Sequence, residues 1–144
     1  MPATRGTSFV VSAIDADVIA KFREAWIRTS NGTTSTESVV LIQRASEDRF
    51  TAKLLSNTNQ YKCFTFAWEP GTVAILHTHP NSSPPKPQDD DIKVADKYGV
   101  PIFTLTIRGV FVYDPMTQKI TKLIDGFTWT QPDVWAKVRA QLAP

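Results

Sequence analysis

The sequence predicts an α/β (α+β) fold in which a central mixed β-sheet is flanked by helices. Short β-branched and apolar segments recur along the middle of the chain, and helical patterns lie near both ends and after a proline-rich segment. The 144 residues are 42% hydrophobic and 21% charged, which is typical of one soluble globular domain. We therefore expect a single domain over residues 1–144.

The first third of the chain predicts a strand, a helix and a loop. Residues 7–13 (TSFVVSA) have the composition of a short strand. A helix is predicted from Asp15 to about Arg28, because apolar residues recur there at three- and four-residue spacings. Residues 29–36 (TSNGTTST) contain no core-forming side chain and predict a polar loop.

Four strands are predicted next, at residues 37–44, 49–56, 61–68 and 72–79. Residues 61–68 alternate between two sets of side chains, as in a strand with two different faces. The segment TVAILHTH at 72–79 is almost continuously apolar before its histidines and predicts a central buried strand.

The remainder of the chain begins with an irregular segment at residues 80–88, where the prolines exclude regular structure. A helix is predicted over 89–98, with aspartates at its positive end and Gly99 as its terminator. Strands are predicted at 100–107, 109–114 and 119–124, the last two forming a hairpin across 115–118, and a closing helix at 132–142.

Charge and cysteine content exclude several classes of function. The net charge is +2, and the lysines and arginines are scattered, so we expect neither a nucleic-acid nor a membrane partner. Cys63 is the single cysteine, which excludes an intramolecular disulfide, a cysteine-based zinc site and the paired cysteines of a cytidine deaminase. No leader-like segment and no apolar run of roughly 20 residues is present, so we expect a cytoplasmic protein.

The two histidines of the chain, His77 and His79, are the strongest functional feature of the sequence. Their spacing places both imidazoles on one face of a strand. Asp90 and Asp91 follow after the proline-rich loop, which can return towards the strand end. A catalytic Zn²⁺ takes three protein ligands and keeps a fourth position for water, so two imidazoles and one of these carboxylates predict a zinc site.

These residues resemble the zinc-binding motif of the JAMM (JAB/MPN-type) metalloprotease family, in particular its compact bacterial members. The family motif is His-x-His-Pro, about ten residues and then Asp, with a glutamate on an earlier strand; here HTHP at 77–80 is followed by the aspartates, and Glu37 opens an earlier strand. The similarity of order and spacing covers roughly residues 35–115. It implies the cytidine-deaminase-like sandwich of JAB/MPN proteins, bound Zn²⁺, and Glu37 as the general base.

One position departs from the family motif, which carries a serine three residues before the ligand aspartate to help hold the oxyanion. With Asp91 as the ligand, this position is Gln88, whose amide can donate a hydrogen bond; with Asp90, it is Pro87, which has no donor. Ser82 and Ser83 in the loop are further candidate donors. We favour Asp91, because Pro85-Lys86-Pro87-Gln88 then aligns with the Pro-x-Pro-Ser of the bacterial relatives.

The resemblance implies a zinc-dependent peptidase or isopeptidase. Such relatives cleave bonds near the C-terminal tails of ubiquitin-like or sulfur-carrier proteins, which makes a peptide or such a tail the expected substrate. The alternatives are a catalytically inactive binding module of the same fold and a domain that binds zinc only for stability. The missing serine favours the inactive module.

Overall fold

A six-stranded mixed sheet with helices on both faces organises the protein. The computed structural model describes residues 6–34, 37–46, 49–55, 68–82 and 84–142. The helices in these ranges are α1 (Thr7–Ser12), α2 (Ala16–Arg28), α3 (Asp89–Tyr98) and α4 (Pro132–Leu142). The strands are β1 (Val39–Ser46), β2 (Arg49–Leu54), β3 (Thr72–Thr78), β4 (Ile102–Thr106), β5 (Gly109–Asp114) and β6 (Lys119–Asp125).

The strand order is β2-β1-β3-β4-β5-β6, which places β3 and β4 in the middle of the sheet. These two strands are parallel, with His77 opposite Thr104, whereas every other pair of neighbours is antiparallel. Parallel neighbours need a crossover connection, and α3 provides it. The crossover helix therefore begins close to the end of β3, where the two histidines lie.

The two faces of the sheet have separate hydrophobic cores. The larger core packs α1, α2 and α4 on one face, around side chains such as Phe22, Leu76 and Trp135. The smaller core packs α3 on the opposite face, where Ile75 and Ile102 contact Ala95. Because side chains alternate along a strand, His77 lies on the same face as Ile75 and therefore faces α3. None of the helices in the described ranges combines the length and apolarity that a membrane crossing needs.

The predicted fold class is confirmed, and most elements lie where the sequence places them. The prediction for residues 7–13 is wrong, since Thr7–Ser12 form α1. Asp114 explains this difference: its Oδ2 atom accepts hydrogen bonds from the Thr7 N–H at 2.9 Å and from the Thr7 hydroxyl at 3.0 Å, at the start of the helix. Residues 61–67 of the predicted 61–68 strand lie outside the described residues, and Trp68 precedes β3 outside any strand. The JAB/MPN-like sandwich stays a prediction.

The loop after α2 packs against the segment that follows the histidines. The Asn81 N–H donates to the carbonyl oxygen of Gly32 at 2.8 Å. Gly32 has φ +83°, and a Cβ atom there would lie 2.4 Å from Asn81 Oδ1 and 2.6 Å from the Trp26 ring. Gly32 is thus required both by backbone conformation and by close packing. Gly126 also has positive φ, at +77°, but a Cβ atom there would meet nothing within 4 Å.

Candidate metal centre

His77 and His79 lie side by side at the end of β3, nearly sealed from solvent. Their ring centroids are 4.7 Å apart and their planes are almost perpendicular, at 83°. The His77 side chain is 0% exposed and that of His79 is 2% exposed. Buried imidazoles require hydrogen-bonding or metal partners, and both rings have them here.

One nitrogen of each imidazole is held by an oxygen atom. His79 Nδ1 lies 2.7 Å from the carbonyl oxygen of Pro84, and a carbonyl can only accept, so Nδ1 carries the hydrogen. His77 Nδ1 lies 3.0 Å from Glu37 Oε1. A hydrogen on Nδ1 leaves the Nε2 lone pair of a neutral imidazole free for a metal, and such oxygen partners are typical of metal-binding histidines.

Asp91, in the first turn of α3, brings a carboxylate oxygen to both Nε2 atoms. Its Oδ2 atom lies 3.6 Å from His77 Nε2 and 3.6 Å from His79 Nε2. The same oxygen accepts the Gln88 N–H at 2.8 Å, which connects the carboxylate to the start of the helix. Asp90, by contrast, is exposed and lies on the helix face away from the histidines.

Charge interactions within this cluster shift the pKa values of Asp91 and His77 in opposite directions. Burial raises the pKa of Asp91, but the charge of His77 and the hydrogen bond with His79 outweigh this effect and lower it from 3.8 to about 2. Burial lowers the pKa of His77, but the charge of Asp91 and the hydrogen bond with Glu37 raise it above 6.5. A site that attracts protons onto imidazole in this way also attracts a metal cation.

Glu37 is buried beside the two histidines, just before β1. Ligand atoms of Glu37, His77 and His79 lie within 4.8 Å of one another, and this buried group can hold a metal ion. Hydrogen bonds between Ser38 and Thr78 hold the segment of Glu37 beside the end of β3. The Ser38 N–H donates to Thr78 Oγ1, and the Thr78 N–H donates to the Ser38 carbonyl, both at 3.0 Å. Two carboxylates, from Glu37 and Asp91, therefore approach the imidazole pair from different sides.

Thr104 is a site residue that the sequence analysis did not identify. It lies opposite His77 in the parallel β3–β4 pair, and its hydroxyl oxygen is 3.2 Å from His77 Nε2. The side chain belongs to a fully buried residue. The threonine inside the otherwise apolar segment VPIFTL could have indicated a site residue, because buried strands rarely carry a polar side chain without a partner.

The other predicted residues lie at the edge of this centre. Gln88 is the exposed residue immediately before α3, and a surface cleft there is lined by Gln88, Asp89, Asp90 and Lys93. Pro87 is buried, and Ser82 is exposed in a turn. Ser83 lies outside the described residues. The structure thus brings together Glu37, His77, His79 and Asp91, and leaves Asp90 in solvent.

Comparison of the chain with protein-family models finds no match. Comparison with curated protein sequences finds no significant match either. The assignment of a function therefore depends on the chemistry of the centre itself.

Proposed function

We propose that the protein is a zinc-dependent peptidase or isopeptidase, with His77, His79 and Asp91 as the zinc ligands. The observation that carries this proposal is the convergence of one Asp91 oxygen, at 3.6 Å, on the Nε2 atoms of both histidines. A centre of this composition, two imidazoles and one carboxylate, is the ligand set of several zinc hydrolases.

The two distances from Asp91 Oδ2 and the atom types of the three proposed ligands are compatible with zinc. Bonds of about 2.0–2.1 Å to a tetrahedral Zn²⁺ place the ligand atoms roughly 3.3 Å apart. The observed distances of 3.6 Å from Asp91 Oδ2 to the two nitrogens need only a small contraction to reach that value. Imidazole nitrogen with carboxylate oxygen is a donor set that suits zinc, although iron and nickel accept it as well, so the metal must be identified by measurement.

The competing ligand set replaces Asp91 with Glu37, and two contacts argue against it. Glu37 Oε1 faces His77 Nδ1, at 3.0 Å, on the ring edge opposite Nε2. His79 Nδ1 is already occupied by the Pro84 carbonyl, so the free nitrogen of that ring is the one that faces Asp91. Asp91 therefore faces Nε2 of both rings, whereas Glu37 faces Nδ1 of one.

Held by His77, His79 and Asp91, a zinc ion would supply a water molecule of near-neutral pKa and would polarise the carbonyl group under attack. The resemblance to the JAMM motif assigns to Glu37 the transfer of a proton from the attacking water to the leaving amine. Because Glu37 Oε1 faces His77 Nδ1, on the ring edge opposite Nε2, the carboxylate would have to turn towards the metal side to reach that water. Its contact with His77 Nδ1 keeps the carboxylate inside the centre and orients the imidazole at the same time. Gln88, exposed beside the start of α3, can donate its amide to the oxyanion.

The proposed substrate is a peptide or the C-terminal tail of a ubiquitin-like or sulfur-carrier protein. The resemblance of Glu37, HTHP and the aspartate spacing to the JAMM motif supports this substrate class. Asp91 is the most exposed of the three proposed ligands, with 10% of its side chain accessible, so substrate reaches the centre from the start of α3.

A binding module that has lost catalysis is the second candidate. The observation that favours it is the residue three positions before Asp91, which is Gln88 and not serine. Metal binding without turnover is the result that this candidate predicts.

The test combines metal analysis with a cleavage screen. Untagged protein is reconstituted with zinc, dialysed without chelator and analysed by mass spectrometry for zinc, iron and nickel. The loaded protein is then screened against short peptides and fusions to ubiquitin-like and sulfur-carrier tails, with Glu37→Gln as the control. The proposal is supported by about one zinc per chain together with cleavage that the control lacks. A zinc content below roughly 0.2 per chain refutes the site. Zinc binding without cleavage indicates the binding module.

A further inference from the structure

The hydroxyl group of Thr104 is a polar group inside the most buried part of the sheet. Every residue of β4, from Ile102 to Thr106, is buried, and Thr104 is 0% exposed. Burial of a hydroxyl group is unfavourable unless it makes a hydrogen bond. The described hydrogen bond of the Thr104 hydroxyl is with His77 Nε2, at 3.2 Å.

That nitrogen is also the atom that the proposed function assigns to the metal. In the neutral imidazole with its hydrogen on Nδ1, which faces Glu37, Nε2 carries the lone pair and the Thr104 hydroxyl is the donor in this contact. A metal ion on Nε2 takes the same lone pair. The hydroxyl then loses this acceptor while it stays buried within a few ångströms of the metal, where an oxygen of the bound substrate or of an anion can replace it.

We propose that Thr104 supplies the oxyanion donor of this centre, in place of the serine of the family motif, whose position is occupied by Gln88. The inference rests on the proposed function and deepens it. Thr104 is better placed than Gln88 for this role, because its hydroxyl is enclosed beside His77 whereas Gln88 is exposed to water, which competes for its amide.

The experiment compares wild type with Thr104→Val, which keeps the shape and removes the hydroxyl, and with Thr104→Ser, which keeps the hydroxyl. Thr104→Ala is the second variant without a hydroxyl and replaces the valine variant if that protein does not fold. Each protein is loaded with Co²⁺ as a coloured substitute for zinc, and its visible spectrum is titrated with acetohydroxamate as an oxyanion probe. Zinc affinity is measured in parallel by competition with a chelator.

We expect Thr104→Val to weaken acetohydroxamate binding by about 10-fold or more, since a hydrogen bond to an anionic oxygen is lost, while Thr104→Ser stays near wild type. Zinc affinity of the valine variant should be unchanged or a few-fold tighter, because the metal no longer displaces a hydrogen bond from His77 Nε2. A purely structural role would not separate valine from serine in the hydroxamate titration.

The outcomes separate this inference from the proposed function. Equal hydroxamate affinity in all variants overturns the role of Thr104, as does loss of zinc by a folded valine variant, which would make the hydroxyl a ligand. Failure of wild-type protein to bind zinc or cobalt refutes the metal centre itself, and the donor role with it.

Discussion

Replacement of Asp91 by alanine is the most direct test of the ligand set, with Asp90→Ala as the matched control on the same helix turn. Asp91 Oδ2 lies 3.6 Å from both Nε2 atoms, whereas Asp90 is exposed. Loss of an outer partner of a metal ligand already costs roughly 10–100-fold in metal affinity, so loss of one of three ligands should cost more than about 100-fold. Asp90→Ala should change the affinity by less than about 3-fold, a bound set by the small effect of a surface charge.

The assay is a competition titration of each variant with zinc chelators of graded affinity, at one pH. Asp91 Oδ2 also accepts the Gln88 N–H, so loss of this cap in Asp91→Ala should lower the stability of the chelator-treated protein by about 1 kcal/mol, in addition to the loss of the charge interaction with His77. Asp91→Asn keeps an oxygen for that bond and separates the two effects. If Asp90→Ala releases the zinc, the proposed ligand set is wrong and Asp90 is the carboxylate ligand. If Asp91→Ala retains the zinc within about 10-fold, Glu37 becomes the candidate carboxylate ligand.

Four further predictions follow from the same geometry. Glu37→Gln should retain zinc within about 10-fold and lower kcat by about 10²–10⁴-fold; an unchanged kcat would exclude proton transfer by Glu37, and loss of zinc would make it a ligand. His77→Ala should hold less than roughly 0.2 zinc per chain by mass spectrometry, and normal zinc content in this variant would remove it from the site. In thermal melts of the chelator-treated protein, the raised pKa of His77 contributes stability below pH 6.5, which is lost as the pH rises through the folded-state pKa. The lowered pKa of Asp91 contributes on the order of 2 kcal/mol above pH 3.8, which is lost as the pH falls towards 2. The melting temperature should therefore be highest between pH 3.8 and pH 6.5, and a maximum above pH 8 would contradict the pairing of His77 with Asp91. Gly32→Ala should lower the melting temperature more than Gly126→Ala. Both variants carry the cost of positive φ, about 1 kcal/mol, but only the alanine at position 32 would also clash with neighbouring side chains. Equal melting temperatures of the two variants would refute the packing argument.

Local sequence patterns predicted the helices and strands that have a clear periodicity. Asp15 does precede α2, and its side chain accepts the Val18 N–H at 3.0 Å, as a helix cap should. Gly99 ends α3 with φ +69°. In both cases the deciding interaction lies within a few residues of the element, so the sequence alone contains the information.

The wrong prediction at residues 7–13 shows a case in which local sequence patterns do not determine the secondary structure. Phe9, Val10 and Val11 have the composition of a strand, yet they form a helix because Val10 and Val11 are buried against the larger core and Asp114 holds Thr7. Asp114 lies 107 positions from Thr7 in the chain. Tertiary contacts of this length override local preference and leave no local pattern.

The sequence indicated which histidines and carboxylates come together in the candidate site, but not Thr104 and not the contacts between these residues. The spacing of His77 and His79 on one strand indicated a shared face, and the structure places both imidazoles together. The contact of Glu37 with Nδ1 of His77 depends on the pairing of β1 with β3, and that of Thr104 depends on the register of β4. Strand order and register are properties of the whole sheet, so neither contact could be inferred from motif spacing.

The hydrogen bond from His79 to Pro84 has a consequence for how this centre tolerates change. The acceptor is a main-chain carbonyl, so the ring is oriented by the path of the loop and not by any side chain at position 84. Substitutions that preserve that path should leave the imidazole in place, whereas insertion or deletion of a single residue between 80 and 84 would move the carbonyl away from it. The loop can therefore diverge widely in composition while its length is held constant.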